Sequence, residues 1–405
     1  MRIALFAPFA LRPKGTTVAR VLPMARALAL AGHECLVLVP PYDNPEEARA
    51  PRVEDGLTVE WLPVGRWGAG IGPAPLAVRG YRRIQEIAPD VVHVFKPKAV
   101  SGLVQQLVWS RSAAALVLDC DDWEGRAGWS RLESYPWALK TAFDLQERWL
   151  LGRNDAATSA SRELEERLRR VAPQRPVARV ANFHDPARHA GWGEKTRRAE
   201  GRALMGLDEA VPVGLVYSRF FDIPVEGYAR LVGGFLERAP RAQVVIGGSG
   251  KYGQQDRLRS LLARAGVDDR VTWLGWLQPE EIGSTLAAAD VALMPALDTV
   301  AARSKCPARL VDLLVAGTPV AAHDVGEART YVEDGRNGRL VAPGDIDALA
   351  AAGVELLGPP FGDQARRFRA ERLAGDLSPG AAAERLTEIY ERARERRGRR
   401  RGRGG

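Results

Sequence analysis

One pattern constrains the fold of this chain more than any other: strand, loop, helix and strand succeed one another near its start, and the alternation begins again past its middle. Arg2–Pro8 is apolar, a turn-rich loop ends Arg12-Pro-Lys-Gly-Thr-Thr17, helical periodicity runs Val18–Ala31, Gly32 suits the C-cap, and Cys35–Val39 is apolar again. Such a unit predicts a parallel sheet. Further strand patterns fall at 90–95, 115–119, 155–159 and 176–180, with helical stretches at 100–109 and 161–171. The alternation restarts at Pro212–Tyr217, with strands at 243–247, 270–274, 291–294 and 318–322 and helices at about 226–238, 254–265, 279–289 and 307–316. The expectation is an α/β protein of two Rossmann-like, doubly wound parallel-sheet domains facing a cleft, with ligands at the carboxyl edges of the sheets.

The expected boundaries are 1–183, a charge-rich linker at 184–211, a second domain at 212–375, a bracing helix at 376–397 and a basic disordered tail at 398–405. A chain of 405 residues suits two cores. The net charge of +8 suggests nucleic acid, but residues 392–405 hold eight arginines against Glu395, so the rest is nearly neutral. That tail is expected to solubilise the chain or to touch anionic lipid, not to read nucleic acid specifically. Ile3–Leu11 lacks the basic flank and cleavage site of a signal peptide and reads as a buried strand. Cys35, Cys120 and Cys306 show neither metal-ligand spacing nor a disulfide framework, which points to a cytoplasmic location, with peripheral membrane contact a possible addition.

Several clusters suggest chemistry. Val244–Ile246 runs into Gly247-Gly-Ser-Gly250, where glycines permit positive φ and close approach of amides to phosphate or sugar. A helix beginning near Cys306 with Pro307 in its first turn and Gly317 as C-cap offers an anion-binding end, with Lys305 and Arg309 adding charge. The strand 115–119 ends in Asp119, Asp121, Asp122 and Glu124. Such acids suit hydroxyl binding or proton transfer, and Asp119-x-Asp121 also mimics a metal-binding pair. Lys96 and Lys98 follow another strand, Lys14 and Gly15 lie in the first loop, and His93 reads as a packed strand residue. Trp123, Trp129, Tyr135, Trp137, Phe143 and Trp149 crowd the stretch after the acids, as core, acceptor groove or lipid contact.

The series Asp269–Leu277, Pro279–Ile282, Ala287–Pro295, Lys305–Val320, Asp324–Gly326 and Glu333–Val341 closely resembles the carboxy-terminal domain of glycosyltransferase family 4. Leu28–Glu34 resembles that family's first helix and turn, and Asn182–Asp185 its interdomain element, so the resemblance spans about residues 1–345. It implies the GT-B fold and transfer of a sugar from a nucleotide-diphosphate donor to an acceptor hydroxyl. It also implies retention of configuration and no metal or other cofactor. The expected partners are the donor, a glycan or lipid-linked acceptor and an anionic membrane.

By this resemblance Arg219 matches the element that grips the diphosphate, Asp312 the second Glu of the Glu-x7-Glu motif that binds ribose, and Asp121 the family's His. Ser304 stands where the first Glu belongs, and Asp222–Glu226 replace an expected Lys, a charge that Lys305 is expected to restore. The implied catalytic set is Arg219, Lys305 and Asp121. Gly15, Gly247, Gly248, Gly250, Ser304, Cys306, Arg309 and Asp312 are expected at the donor, and Asp119, Asp122 and Lys96 on the acceptor side. A nucleotide-sugar epimerase or hydrolase of this fold and a non-catalytic partner remain as alternatives. A dehydrogenase is disfavoured, because Gly247–Gly250 lacks the G-x-G-x-x-G spacing.

Overall fold

The computed structural model describes every residue except 13, 55–56, 65–72, 193–194, 359–360 and 403–405. Its contacts divide the chain into two units: Met1–Asp185 with Ser304–Cys306 and Asp376–Gly405, and Pro186–Arg303 with Pro307–Gly375.

The first unit is built on eight strands: β1 (Arg2–Phe6), β2 (Glu34–Val39), β3 (Arg52–Glu54), β4 (Leu57–Trp61), β5 (Val91–Phe95), β6 (Ala115–Cys120), β7 (Ala156–Ser159) and β8 (Val177–Arg179). Their order is β3-β4-β2-β1-β5-β6-β7-β8. Every pairing is parallel except β3 with β4. β1 therefore sits mid-sheet, and Ile3, Leu5 and Phe6 are fully buried, as the continuous apolar run of a doubly covered strand requires. The short edge hairpin β3–β4 escaped the βαβ reading, although Leu57, Val59 and Trp61 alternate inward.

The second unit carries β9 (Val213–Tyr217), β10 (Gln243–Gly247), β11 (Val271–Gly275), β12 (Val291–Met294), β13 (Val320–His323) and β14 (Gly338–Val341). All are parallel, in the order β11-β10-β9-β12-β13-β14. Its core packs Tyr228, Leu231, Val232 and Phe235 of one helix against Val216, Val244, Ile246 and Leu293 of the sheet.

Three expected boundaries change. The stretch 184–211 is not a bare linker: helix Lys195–Leu204 packs on helix Pro279–Ala288 of the second unit. Arg202 holds it there by donating to Ala288 O at 3.1 Å and Asp208 O at 2.6 Å and pairing with Asp290 at 2.8 Å. So many polar residues hid the helix, because its inward contacts are made by an arginine. The closing helix runs Pro379–Gly402, rather than ending at 397, and belongs to the first unit, where it packs on β6, β7 and helix Leu22–Leu30. Leu386, Ile389, Tyr390 and Ala393 supply its buried face. The basic stretch is thus helical to Gly402, and Arg403 lies outside the described residues. All three cysteines are buried, and none forms a disulfide.

Candidate functional site

In the first unit β5 and β6 lie side by side, so the segments after them meet. Lys96 adopts φ +66° and Ala99 φ +51°, a left-handed backbone rarely taken by side-chain-bearing residues. That turn delivers the Lys96 ammonium to three carboxylates at once: Asp121 at 2.8 Å, Asp122 at 2.7 Å and Glu124 at 2.6 Å. Lys98 adds a bond to Glu124 at 2.8 Å and lies over the Tyr135 and Phe143 rings. From the first loop, next to Gly15, Thr16 donates to Asp121 at 3.0 Å. Lys14 turns instead to Asp43 and the Phe9 ring.

The four acids do not form one set. Asp119 faces away into the core, where Arg20 grips both oxygens at 2.7 Å and Thr158 donates at 2.6 Å. A π-helical turn, Thr17–Val21, aims Arg20 inward, and the guanidinium also reaches Val180 O and Asn182. Burial would raise the Asp119 carboxyl, yet Arg20 holds it below its ordinary value. Asp119 is therefore half of a buried ion pair, not an acceptor-side group. Nor do Asp119 and Asp121 converge as metal ligands. Asp121, Asp122 and Glu124 do converge, with oxygens within 4.8 Å of one another, and among the described residues they alone could hold an ion. Lys96 already supplies a cation to all three.

The balance of burial against the two lysines gives the acids opposite character. It pushes the Asp121 carboxyl up to about 6 against the pull of Lys96, with Asp122 and Glu124 adding repulsion. Glu124 is buried too, but Lys96 and Lys98 bring it down to about 2. Glu147 braces the same loop: it accepts from the Glu124 and Gly125 amides and takes two bonds from Arg167. His93 lies in the core between Tyr390, at 2.8 Å, and Thr158, at 3.0 Å.

In the second unit the loops after β9 and β10 touch. Gly248 has φ +113°, and a Cβ there would fall 1.9 Å from Ser218 O, so only glycine fits. Ser218 O–H and N–H groups order the β9 turn, with Oγ accepting from the Phe220 amide at 2.9 Å. Arg219 projects from this turn, exposed, near the Phe221 and Trp276 rings at 5.8 and 5.6 Å. Gly247 lies against Leu277, and the Gly250 amide donates to Gln255 at 2.9 Å.

Helix Ala308–Ala316 begins just after Pro307 and ends at Gly317, φ +75°. Arg309, in its first turn, is tied to Asp222 at 2.6 Å and donates to Tyr217 O at 3.0 Å. It is thus neutralised by a residue of the stretch that replaces the expected Lys. Asp312, buried, accepts from Arg188 at 2.8 Å and is 3.1 Å from His189. Burial alone would raise its carboxyl; Arg188 and His189 lower it. These two residues went unforeseen because they fall in the supposed linker.

The expected run 304–312 is divided between the two units. Ser304, Lys305 and Cys306 cluster with the first. Asn182 donates from its side chain to Cys306 O at 2.6 Å and from its backbone to Cys306 Sγ at 3.2 Å. Lys305 lies 4.9 Å from the centre of the Trp129 ring. Cys306 thus enters the Asn182–Arg20–Asp119 network, and Asp312 does not share the unit of Ser304 and Cys306.

Two family models match in sequence order: a glycosyl transferase 4-like domain over residues 15–183 and glycosyl transferases group 1 over residues 213–358. The chain belongs to the GT4-like glycosyltransferases. Its similarity to D-inositol 3-phosphate glycosyltransferase of Nocardia farcinica is 34% identity over 48% of this chain and 44% of that one. To phosphatidyl-myo-inositol mannosyltransferase of Mycolicibacterium smegmatis it is 26%, over 88% and 85%. The chain thus spans under half the length of the first of these relatives. The solved structure of Anabaena HepE in complex with UDP superposes with a TM-score of 0.70 at 17% identity, covering 96% of this chain and all of that one. This GT4-like chain therefore has the GT-B fold, in two parallel-sheet α/β units.

Proposed function

We propose that this chain transfers a sugar from a nucleotide-diphosphate donor to an acceptor hydroxyl, with retention of configuration and without a metal. Family membership and relatives named as glycosyltransferases support transfer, and the HepE complex with UDP supports the donor class. The observation that carries the donor assignment is Arg219, an exposed cation on a turn that Gly248 holds in place. In this reading Arg219 binds the diphosphate, whose negative charge grows as the glycosidic bond breaks, so a fixed cation favours the transition state. The amides opening helix Ala308–Ala316 add donors for the same anion. Asp312 keeps carboxylate lone pairs for ribose beside Arg188 and His189.

Asp121 is the acceptor-side group. A carboxyl that burial has made a better base, fixed by Thr16 and Lys96, suits binding or deprotonating a hydroxyl. Lys305 offsets leaving-group charge; its motive is charge balance, since Asp222 cancels Arg309. The acceptor is a glycan or lipid-linked, and the protein works in the cytoplasm.

Thermal-shift screening against UDP, GDP, ADP and dTDP tests the donor class. A nucleotide at about 100 times its Kd stabilises by roughly 2.7 kcal/mol, a shift of a few degrees. One nucleotide should stand out; none shifting the melt would overturn the reading. Ser304, in place of the family's Glu, favours a second reading as a non-catalytic partner. Nucleotide binding without transfer, and Lys305→Ala indistinguishable from wild type, would support that one.

A further inference from the structure

Helix Trp137–Leu151 of the first unit buries one side only. Asp144, Glu147, Leu150 and Leu151 face inward. On the other side Ala138, Ala142, Leu145 and Trp149 are exposed at i, i+4, i+7 and i+11, one continuous stripe, with Trp137 at its head. Trp137 is 72% exposed, Leu145 61% and Trp149 58%, values that scattered surface residues of a soluble domain rarely reach together along one helix. The only carboxylates of this helix, Asp144 and Glu147, are on the buried side, so the stripe itself carries no negative charge.

Cations rim it. The Arg126 guanidinium lies 5.2 Å from the Trp137 ring centre and that of Arg153 3.3 Å from Trp149. Trp149 donates to Gln106, one turn before Trp109 on the neighbouring helix, and Arg400 of the closing helix stacks on Trp109 at 3.5 Å. Arg175 lies over that ring as well. Burial and then Arg396 push its guanidinium down to about 10, with Arg400 and Arg153 adding repulsion against the pull of Asp155, so positive charge is in excess there. Arg399, Arg400 and Arg401 extend that excess along the last described turn.

We infer that this face docks the first unit on an anionic lipid bilayer, with Trp137, Leu145 and Trp149 entering the headgroup–acyl boundary and the arginines of the closing helix pairing with lipid phosphates. The chemistry selects that occupant. A bilayer interface takes tryptophans and leucines on one side of a surface helix and rewards cations beside them. Nucleic acid would use the arginines and leave Leu145 in water. No helix among the described residues is long and apolar enough to cross a membrane, so the contact is one of lying on the surface. The inference needs neither donor nor acceptor and is independent of the transfer reaction.

Flotation of the full chain with phosphatidylcholine vesicles, with and without phosphatidylglycerol, tests it. The chain should float with the anionic vesicles and its tryptophan emission should shift to the blue. The triple variant Trp137→Ser, Leu145→Ser, Trp149→Ser should lower partitioning about tenfold or more. A second variant, Arg399→Gln with Arg401→Gln, changes only the exposed end of the closing helix and should reduce the preference for anionic vesicles severalfold while keeping its melting temperature. Failure to float with anionic vesicles would overturn the inference. So would wild-type partitioning by a folded serine variant. Tight binding to single-stranded RNA that the arginine variant loses and the serine variant keeps would reassign the face to nucleic acid.

Discussion

The two loop regions at the carboxyl edges of the sheets use charge in opposite ways. After β5 and β6, five charged side chains, Lys96, Lys98, Asp121, Asp122 and Glu124, are partly or wholly buried and satisfy one another. Asp119 is deeper still and belongs to Arg20. After β9, Asp222 cancels Arg309 and one cation, Arg219, is left in water beside aromatic rings. The first region is largely buried, polar and nearly self-neutralising; the second keeps one unspent charge for a ligand. Charge density along a sequence therefore says little about where a free charge stands, because the partners come from elsewhere in the chain.

That contrast breaks most readily at Asp119. Asp119→Ala leaves a guanidinium buried without its carboxylate and should destabilise the fold by about 3–5 kcal/mol, read by urea unfolding. An Asp119→Ala protein that unfolds with the wild type would mean the pair is dispensable and the first region less structural than its burial suggests.

Arg219→Ala is the complementary change. An exposed side chain away from the core should cost stability no more than about 0.5 kcal/mol. Loss of one charge-assisted bond should weaken nucleotide binding by about 1.5–3 kcal/mol, or roughly tenfold to a hundredfold, by calorimetry. Should the variant melt early yet bind normally, Arg219 would be a structural residue and the two regions would not differ in kind.

Periodicity located eleven of the fourteen strands among the described residues, all but β3, β4 and β14, because parallel sheets covered on both faces need unbroken apolar runs such as Val244–Ile246 and Leu116–Leu118. It missed helix Lys195–Leu204, whose inward contacts are made by Arg202 rather than by an apolar stripe. At the site, the residue types and their strand-end positions were legible, and Gly248 has the positive φ that its glycine permits, although the close contact it makes is with Ser218 O. The pairings were not legible. Nothing near Asp119 announces Arg20, since a π-helical turn some hundred residues earlier aims that side chain. Nothing near Asp312 announces Arg188, and the division of 304–312 rests on hydrogen bonds from Asn182 to Cys306.

The smallest effect is the sharpest probe of the first region, because it separates neighbouring acids by sign. Asp121 has its carboxyl raised to about 6 from an unfolded value of 3.8. Between those pH values the native state holds a proton that the unfolded chain lacks, so this group's contribution to stability falls as pH rises through the window. Glu124, lowered to about 2 from 4.5, does the reverse: it stabilises above 4.5 and that contribution is lost as pH falls toward 2. His93 also titrates across the first window, since burial lowers it to about 4 from 6.5 and its contribution rises with pH. The informative quantity is therefore the difference between wild type and Asp121→Asn. Relative to wild type the variant should gain stability from about pH 4 to 6, ending as stable as wild type, or more stable by about 1 kcal/mol, at pH 8. Its transfer activity should nevertheless fall if Asp121 meets the acceptor. A variant that loses stability at pH 8 would show that Lys96 needs the Asp121 charge for the fold, and would make the whole acid cluster scaffold.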